Sequence, residues 1–95
     1  MDDKIGRLKG TIVPVLKKNN VRRAAIFGSV ARGEDKAKSD VDILVEFKGK
    51  ATLLTLGRLY WQLEEKLDRK VDIVTYGSID PRFRDNILSS KVDIL

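Results

Sequence analysis

Two aspartates, Asp40 and Asp42, stand at the head of the apolar run Val41-Asp42-Ile43-Leu44-Val45, and a glycine-serine turn, Gly28-Ser29, precedes them. On a β-strand, residues i and i+2 share a face. The spacing therefore sets both carboxylates side by side and turns Val41, Ile43 and Val45 the opposite way, into a core. Adjacent like charges are costly unless a cation lies between them. A hard divalent ion, which takes carboxylate and phosphate oxygens, is the natural guest. Gly28 in turn lets the backbone approach a phosphate closely. The chemistry these residues imply is metal-assisted work on phosphate.

A third carboxylate, Asp72, interrupts a later apolar run, Val71-Asp72-Ile73-Val74. Aspartate is disfavoured within strands and costly to bury without partners. Taken alone, Asp72 equally fits a residue at the start of a strand reaching solvent, or one paired with Arg69 or Lys70. Beside Asp40 and Asp42 it takes on another meaning, because a neighbouring strand carries it to the same rim. Three carboxylates on one rim are what a two-metal phosphoryl- or nucleotidyl-transfer site requires.

Composition narrows the means. The chain has no histidine, so any acid-base or metal chemistry falls to Asp and Glu, and no cysteine, which excludes disulfides and thiolate metal sites. At 95 residues, the span 1–95 is read as one domain with a single modest core. No apolar run approaches the ~20 residues that span a bilayer, and Asp2, Asp3 and Lys4 do not suit a signal peptide, so a cytoplasmic protein with no membrane partner is expected. The net charge of +5 permits an anionic partner without selecting one. With aromatic residues at only 6%, and none interleaved with arginine, nucleic acid is not expected as the main partner.

The elements that must position these residues alternate between helix and strand. Ile5, Leu8, Ile12 and Val15 or Leu16 recur at helical spacing, predicting a helix from about residue 3 to 18 with a kink or break at Pro14. Arg23 to Phe27 reads as a buried strand ending at Gly28-Ser29, Val30 to Gly33 as a brief helical turn, and Glu34 to Lys38 as a charged loop. Asp40 to Phe47 is the second strand. Leu53, Leu56, Tyr60, Leu63 and Leu67 form the apolar stripe of a second long helix, with Thr52 as its N-cap. Val71 to Tyr76 is a third strand. Pro81 is placed at the first position of a last helix reaching about Ser90, and Val92 to Leu95 as an edge strand or a packed tail. The predicted class is α/β (α+β), a small mixed sheet of three to four strands flanked by helices.

Gly28-Ser29-Val30-Ala31-Arg32-Gly33, then five residues, then Ser39-Asp40-Val41-Asp42, resembles the signature of the DNA polymerase beta-like nucleotidyltransferase superfamily, in particular its minimal nucleotidyltransferase branch. The similarity extends over nearly the whole chain, including Val21 to Phe27 and Arg69 to Val74. It implies a mixed sheet flanked by helices and transfer of a nucleoside monophosphate from a triphosphate, with ATP as the family default, to a hydroxyl. By the same resemblance Gly28 and Ser29 hold the β- and γ-phosphates. Asp40, Asp42 and Asp72 ligate two magnesium ions (or manganese), and Asp72 also helps to deprotonate the acceptor. Arg32 either contacts phosphate or supports the loop through a carboxylate. Gly33 completes the turn. Ser39 is a cap or turn residue, with nucleotide contact as the other reading.

Larger relatives carry a second domain for the acceptor, so here the acceptor is expected on another protein or subunit. The minimal branch implies a HEPN-domain ribonuclease toxin as partner, neutralised by AMP added to a tyrosine hydroxyl, with this chain as antitoxin. Neutralisation by binding alone, and transfer to an RNA or small molecule held by another subunit, are the other readings. A homo-oligomer is also open. Leu54 and Trp61, seven apart on the second long helix, suit an interface anchor, unless Trp61 simply closes the edge of the core. Ile87, Leu88, Val92, Ile94 and Leu95 form a second apolar surface that a chain of this size is not certain to bury alone.

Overall fold

The computed structural model describes residues 4–34 and 40–95. Helix α1, Lys4–Lys18, buries Leu8, Ile12, Val15 and Leu16 along one side. Pro14 sits inside it without ending it, so of the expected kink or break the break does not occur. Proline removes the bond to the carbonyl four residues back, but Pro14 faces solvent while its neighbours hold the helix to the sheet. The helix stops at Asn19-Asn20: Asn20 is left-handed (φ 60°), and the buried Asn19 amide donates to the Val15 carbonyl and to Gln62 Oε1, each at 2.8 Å.

Strand β1, Val21–Phe27, begins two residues earlier than its apolar run suggested and occupies an interior position of the sheet. A four-residue helix α2, Gly28–Ala31, leads to β2, Val41–Phe47; then follow α3, Leu53–Leu67, β3, Val71–Thr75, a 3₁₀ turn at Tyr76–Ser78, α4, Arg84–Ser90, and β4, Val92–Asp93. The sheet order is β3-β2-β1-β4, with β1 antiparallel to β2 and β4, and β2 parallel to β3. This is the mixed, helix-flanked sheet expected.

Both central strands are buried on both faces, which is why they read as continuous apolar runs. On one face α1 and α3 bring Ile12, Leu16, Leu59 and Leu63 against Ile26, Val41, Ile43, Val45 and Ile73. On the other, Ala25 and Leu44 meet Tyr76 and Ile79, with Ile87 and Leu88 partly buried beside them. This second cover is small, and the end of the sheet that carries Asp42 and Asp72 continues past it.

Helix α3 is capped as expected, Thr52 Oγ1 accepting from the Thr55 N–H at 3.2 Å. Leu56, Tyr60, Leu63 and Leu67 of the predicted stripe pack against the core as expected. Leu59 and Leu63 are fully buried, whereas Leu53, at the first helical position, is 88% exposed. Trp61 is also exposed and does not close the core edge. The last helix begins at Arg84 rather than at Pro81: the Asp80 carboxylate accepts from the Arg82 backbone N–H and pairs with its guanidinium, holding residues 81–83 in turns. The C-terminal tail does fold onto the sheet. Val92 pairs with Ile26, the Leu95 carbonyl accepts from the Ala24 N–H at 3.0 Å, and Ile94 is buried. Among the described residues no helix is long and apolar enough to cross a membrane.

Candidate active site

The parallel register of β2 and β3 sets Asp42 directly opposite Asp72. The antiparallel register on its other side sets Asp42 opposite Phe27, so the chain leaves β1 and turns at Gly28 immediately beside the Asp42 carboxylate. Asp40 stands one residue before β2, exposed on the same rim. Topology therefore places the glycine-serine turn and all three acids at one end of the sheet.

The contact at Gly28 is close. Its φ of +71° is a left-handed conformation, and a Cβ built there would lie 2.1 Å from Asp42 Oδ2. Glycine is required both by the backbone and by the carboxylate packed over it. Val30 is buried and anchors α2, and the turn is closed by bonds from Arg32 N–H to the Gly28 carbonyl, Gly33 N–H to the Val30 carbonyl, and Glu34 N–H to the Ser29 carbonyl, at 2.9 to 3.1 Å. Gly33, at φ +72°, makes the reversal that follows. The first-turn N–H groups of such a helix have no intrahelical acceptor. The half-buried Ser29 hydroxyl makes no hydrogen bond to a described residue.

Of the two readings of Arg32, the structure displays the supporting one: its Nε lies 2.9 Å from Glu34 Oε2, with both side chains about half exposed or more. Its charge still reaches the rim. The Asp42 carboxyl is pushed above its ordinary value, first by burial and then by the charges of Asp72 and Asp40, with Arg32 opposing the shift.

Elsewhere on the surface, Glu34, Glu46, Asp80 and Asp93 each pair with a cation. Asp40, Asp42 and Asp72 make no hydrogen bond or ion pair with a described residue, so the pairing of Asp72 with Arg69 or Lys70 is not what this arrangement holds. Nor are three acids gathered, among the described residues, closely enough to form a ready metal nest. Ser39 lies outside the described residues.

Two cavities flank the rim. One, about 220 Å³, is lined by Phe27, Gly28 and Arg32 on one side and by Phe83, Asn86, Ile87 and Ser90 on the other. The second, about 460 Å³, joins Asp40 to Asp68, Arg69 and Lys70. Of the residues on that second side, Ile87 was read in the sequence as part of an apolar surface, whereas Phe83, Asn86 and Ser90 were not singled out. The signal available was Phe83, a large apolar residue followed by the polar stretch Arg84-Asp85-Asn86. A further hollow of about 370 Å³, around Asn19, Phe47 and Lys50, lies at the opposite end of β2 from the acids.

Residues 10–95 match the family described as Polymerase beta, Nucleotidyltransferase. This chain belongs to that family. The nucleotidyltransferase is 52% identical over 91 residues to a Methanocaldococcus jannaschii protein provisionally named as a protein adenylyltransferase, covering 96% of this chain and 98% of the relative. It is 40% identical over 72 residues to the protein adenylyltransferase MntA of Thermococcus cleftensis, covering 76% and 73%. Among solved structures it resembles a provisionally named minimal nucleotidyltransferase at 35% identity and a TM-score of 0.80, covering 97% of this chain and 95% of the other. It also shares the fold of the MNT antitoxin solved in complex with a tri-AMPylated Shewanella oneidensis HEPN toxin, at 20% identity and a TM-score of 0.73, covering 95% and 71%.

Proposed function

We propose that this nucleotidyltransferase transfers AMP from ATP to a tyrosine hydroxyl of a HEPN-domain ribonuclease toxin and thereby acts as its antitoxin. The observation that carries the reading is the register of Asp42 and Asp72 beside Gly28, with the acids unpaired by any described cation. The names of the adenylyltransferase relatives, and the AMPylated toxin in the related complex, support AMP as the group and the toxin as the acceptor.

Asp40, Asp42 and Asp72 are the residues that would hold divalent cations, two Mg²⁺ ions or Mn²⁺ in their place. The donor set fits: every ligand is a hard oxygen, and the Asp42 carboxyl, raised first by burial and then by the charges of Asp72 and Asp40, is one whose charged form an adjacent cation favours. Such ions, when bound, neutralise charge on the triphosphate and lower the pKa of the attacking hydroxyl. Gly28 and Ser29 receive the β- and γ-phosphates through backbone N–H groups and the Ser29 hydroxyl. Gly33 holds the return of that turn, and Arg32 adds positive charge beside it. The acceptor oxygen bonds to the α-phosphorus, the bond from that phosphorus to the β-phosphate bridging oxygen breaks, and pyrophosphate leaves. Asp72, at the rim and open to solvent, takes the acceptor proton.

The test is a mixture of the protein, the toxin, ATP and magnesium, read by mass spectrometry of the toxin. One or more added AMP units on a tyrosine are expected, and none with Asp42→Ala. If Asp42→Ala protects cells from the toxin as well as the parent does, neutralisation by binding alone replaces this reading. Labelled AMP appearing on RNA or a small molecule and not on the toxin would move the acceptor elsewhere.

A further inference from the structure

We propose that the hollow between Gly28 and α4 receives the base of the nucleotide, with Phe83 stacking on it and the Asn86 amide selecting adenine. This rests on Gly28 and Ser29 receiving the β- and γ-phosphates. The sheet order β3-β2-β1 sets Asp72, Asp42 and the Gly28 turn in a row across the rim, and the hollow opens beyond Gly28. Residues directly opposite on paired strands share a face. Phe27, opposite Asp42, packs with the cluster of Tyr76 and Ile79, so the acids and the hollow occupy the same face of the sheet.

The order along the rim decides what enters. In-line displacement puts the acceptor oxygen opposite the departing pyrophosphate. With pyrophosphate on Gly28 and Ser29, the acceptor comes from the Asp72 side. The hollow is then on the leaving-group side, out of the acceptor's reach. The nucleoside is joined to the α-phosphorus at neither in-line position, so it is free to fold back along the triphosphate. At about 220 Å³ the hollow is smaller than the ~300–1,000 Å³ pockets that enclose whole drug-sized ligands, and it suits a single ring system.

Phe83 is placed for stacking. It is 53% exposed, whereas the other exposed large apolar side chains described, Leu53, Leu54 and Trp61, lie on α3 against the opposite face. Its backbone is fixed: the N–H donates to the Asp80 carbonyl and the carbonyl accepts from the Ile87 N–H, each at 2.9 Å. Arg84 Nη1 donates to the Tyr76 carbonyl at 3.3 Å and ties the start of α4 to the cover of the sheet. The Arg82 guanidinium lies over the Phe83 ring, 5.4 Å from its centroid, and leaves one face of the ring for a flat ligand.

Asn86 supplies the choice of base. Its carbonyl accepts from the Ser89 and Ser90 hydroxyls, but its side-chain amide makes no hydrogen bond to a described residue. An amide offers an acceptor beside donors, the pattern that pairs with N6 and N7 of adenine. Guanine presents acceptors at both corresponding positions and suits an arginine instead. The arginine lining this hollow, Arg32, is engaged by Glu34 Oε2 at 2.9 Å.

The test is calorimetric titration of the full chain, with magnesium, against inorganic tripolyphosphate and the α,β-methylene analogues of ATP and GTP, which cannot transfer their nucleotide. The ATP analogue is expected to bind about 100-fold more tightly than tripolyphosphate and about ten-fold more tightly than the GTP analogue. Phe83→Ala weakens both nucleotides about ten-fold and leaves tripolyphosphate unchanged. Asn86→Ala weakens only the ATP analogue, to the level of the GTP analogue. Unchanged tripolyphosphate binding and circular dichroism separate these effects from a loss of fold. An ATP analogue that binds no more tightly than tripolyphosphate overturns the base subsite and leaves the phosphate turn standing. Parental affinity for the ATP analogue in either variant does the same. A chain that binds none of the three ligands overturns the phosphate assignment and this proposal together.

Discussion

The Tyr60 hydroxyl on α3 holds both backbone groups of Ile73, accepting from its N–H at 3.0 Å and donating to its carbonyl at 3.2 Å. Glu64, one turn later, accepts from the Val71 N–H at 3.1 Å. The outer edge of β3 is thus covered by side chains of α3 where another strand would otherwise pair. Asp72 lies between the two held residues, so an edge strand is made rigid at the position where it carries a candidate catalytic acid.

Tyr60→Phe is therefore expected to act on both stability and turnover. It leaves two partly buried backbone groups without their partner, a loss of about 1–3 kcal/mol in urea unfolding. Turnover should fall as well, although Tyr60 lies on the core side of β3 away from the rim. A change below about 0.5 kcal/mol would mean that water replaces the hydroxyl.

Gly28→Ala joins two penalties that a double-mutant cycle separates. The left-handed backbone alone costs an alanine roughly 1–2 kcal/mol. The clash with Asp42 Oδ2 adds roughly 1–3 kcal/mol by overpacking. In an Asp42→Ala background most of the clash is relieved, because the nearest atom left is the Cβ at 3.3 Å, a contact that a shift of a few tenths of an ångström accommodates. The two substitutions are expected to couple measurably in thermal unfolding. Strict additivity would refute the contact.

Much of this arrangement was legible in the chain. The i, i+2 acids, the turn before them and the buried strands follow from periodicity and from the properties of glycine, and both long helices and the Thr52 cap are where the pattern puts them. The departures have local causes. Pro14 is tolerated because the helix is held by its opposite side, and Leu53 reads as core by spacing yet sits at the helix start, outside the sheet's cover. Pro81 loses its position to the Asp80–Arg82 turn. The cover of the β3 edge by Tyr60 and Glu64, and the cavity shared by Gly28 and α4, depend on long-range register, which no local pattern encodes.

Asp42 gives the pH prediction. Its carboxyl titrates above the ordinary value because burial and the charges of Asp72 and Asp40 disfavour ionisation, outweighing Arg32. The native state thus holds the proton more tightly than the unfolded chain does. The contribution of Asp42 to stability is most favourable below its unfolded pKa of about 3.8 and declines as pH rises through the raised native value. Asp42→Asn removes that decline. At neutral pH without divalent ions the variant should be more stable than the parent, by a few tenths of a kcal/mol once solvent screening of a half-exposed group is allowed for. Adding magnesium should reverse the order, because an ion bound only to the native parent raises its unfolding temperature with concentration, and the amide has lost the charge that holds it. The parent's magnesium-dependent gain should fade as the pH drops into the range where Asp42 keeps its proton. Thermal unfolding of both proteins, with and without magnesium at several pH values, checks the whole argument. A parent whose unfolding temperature ignores magnesium at neutral pH would count against metal binding at these acids.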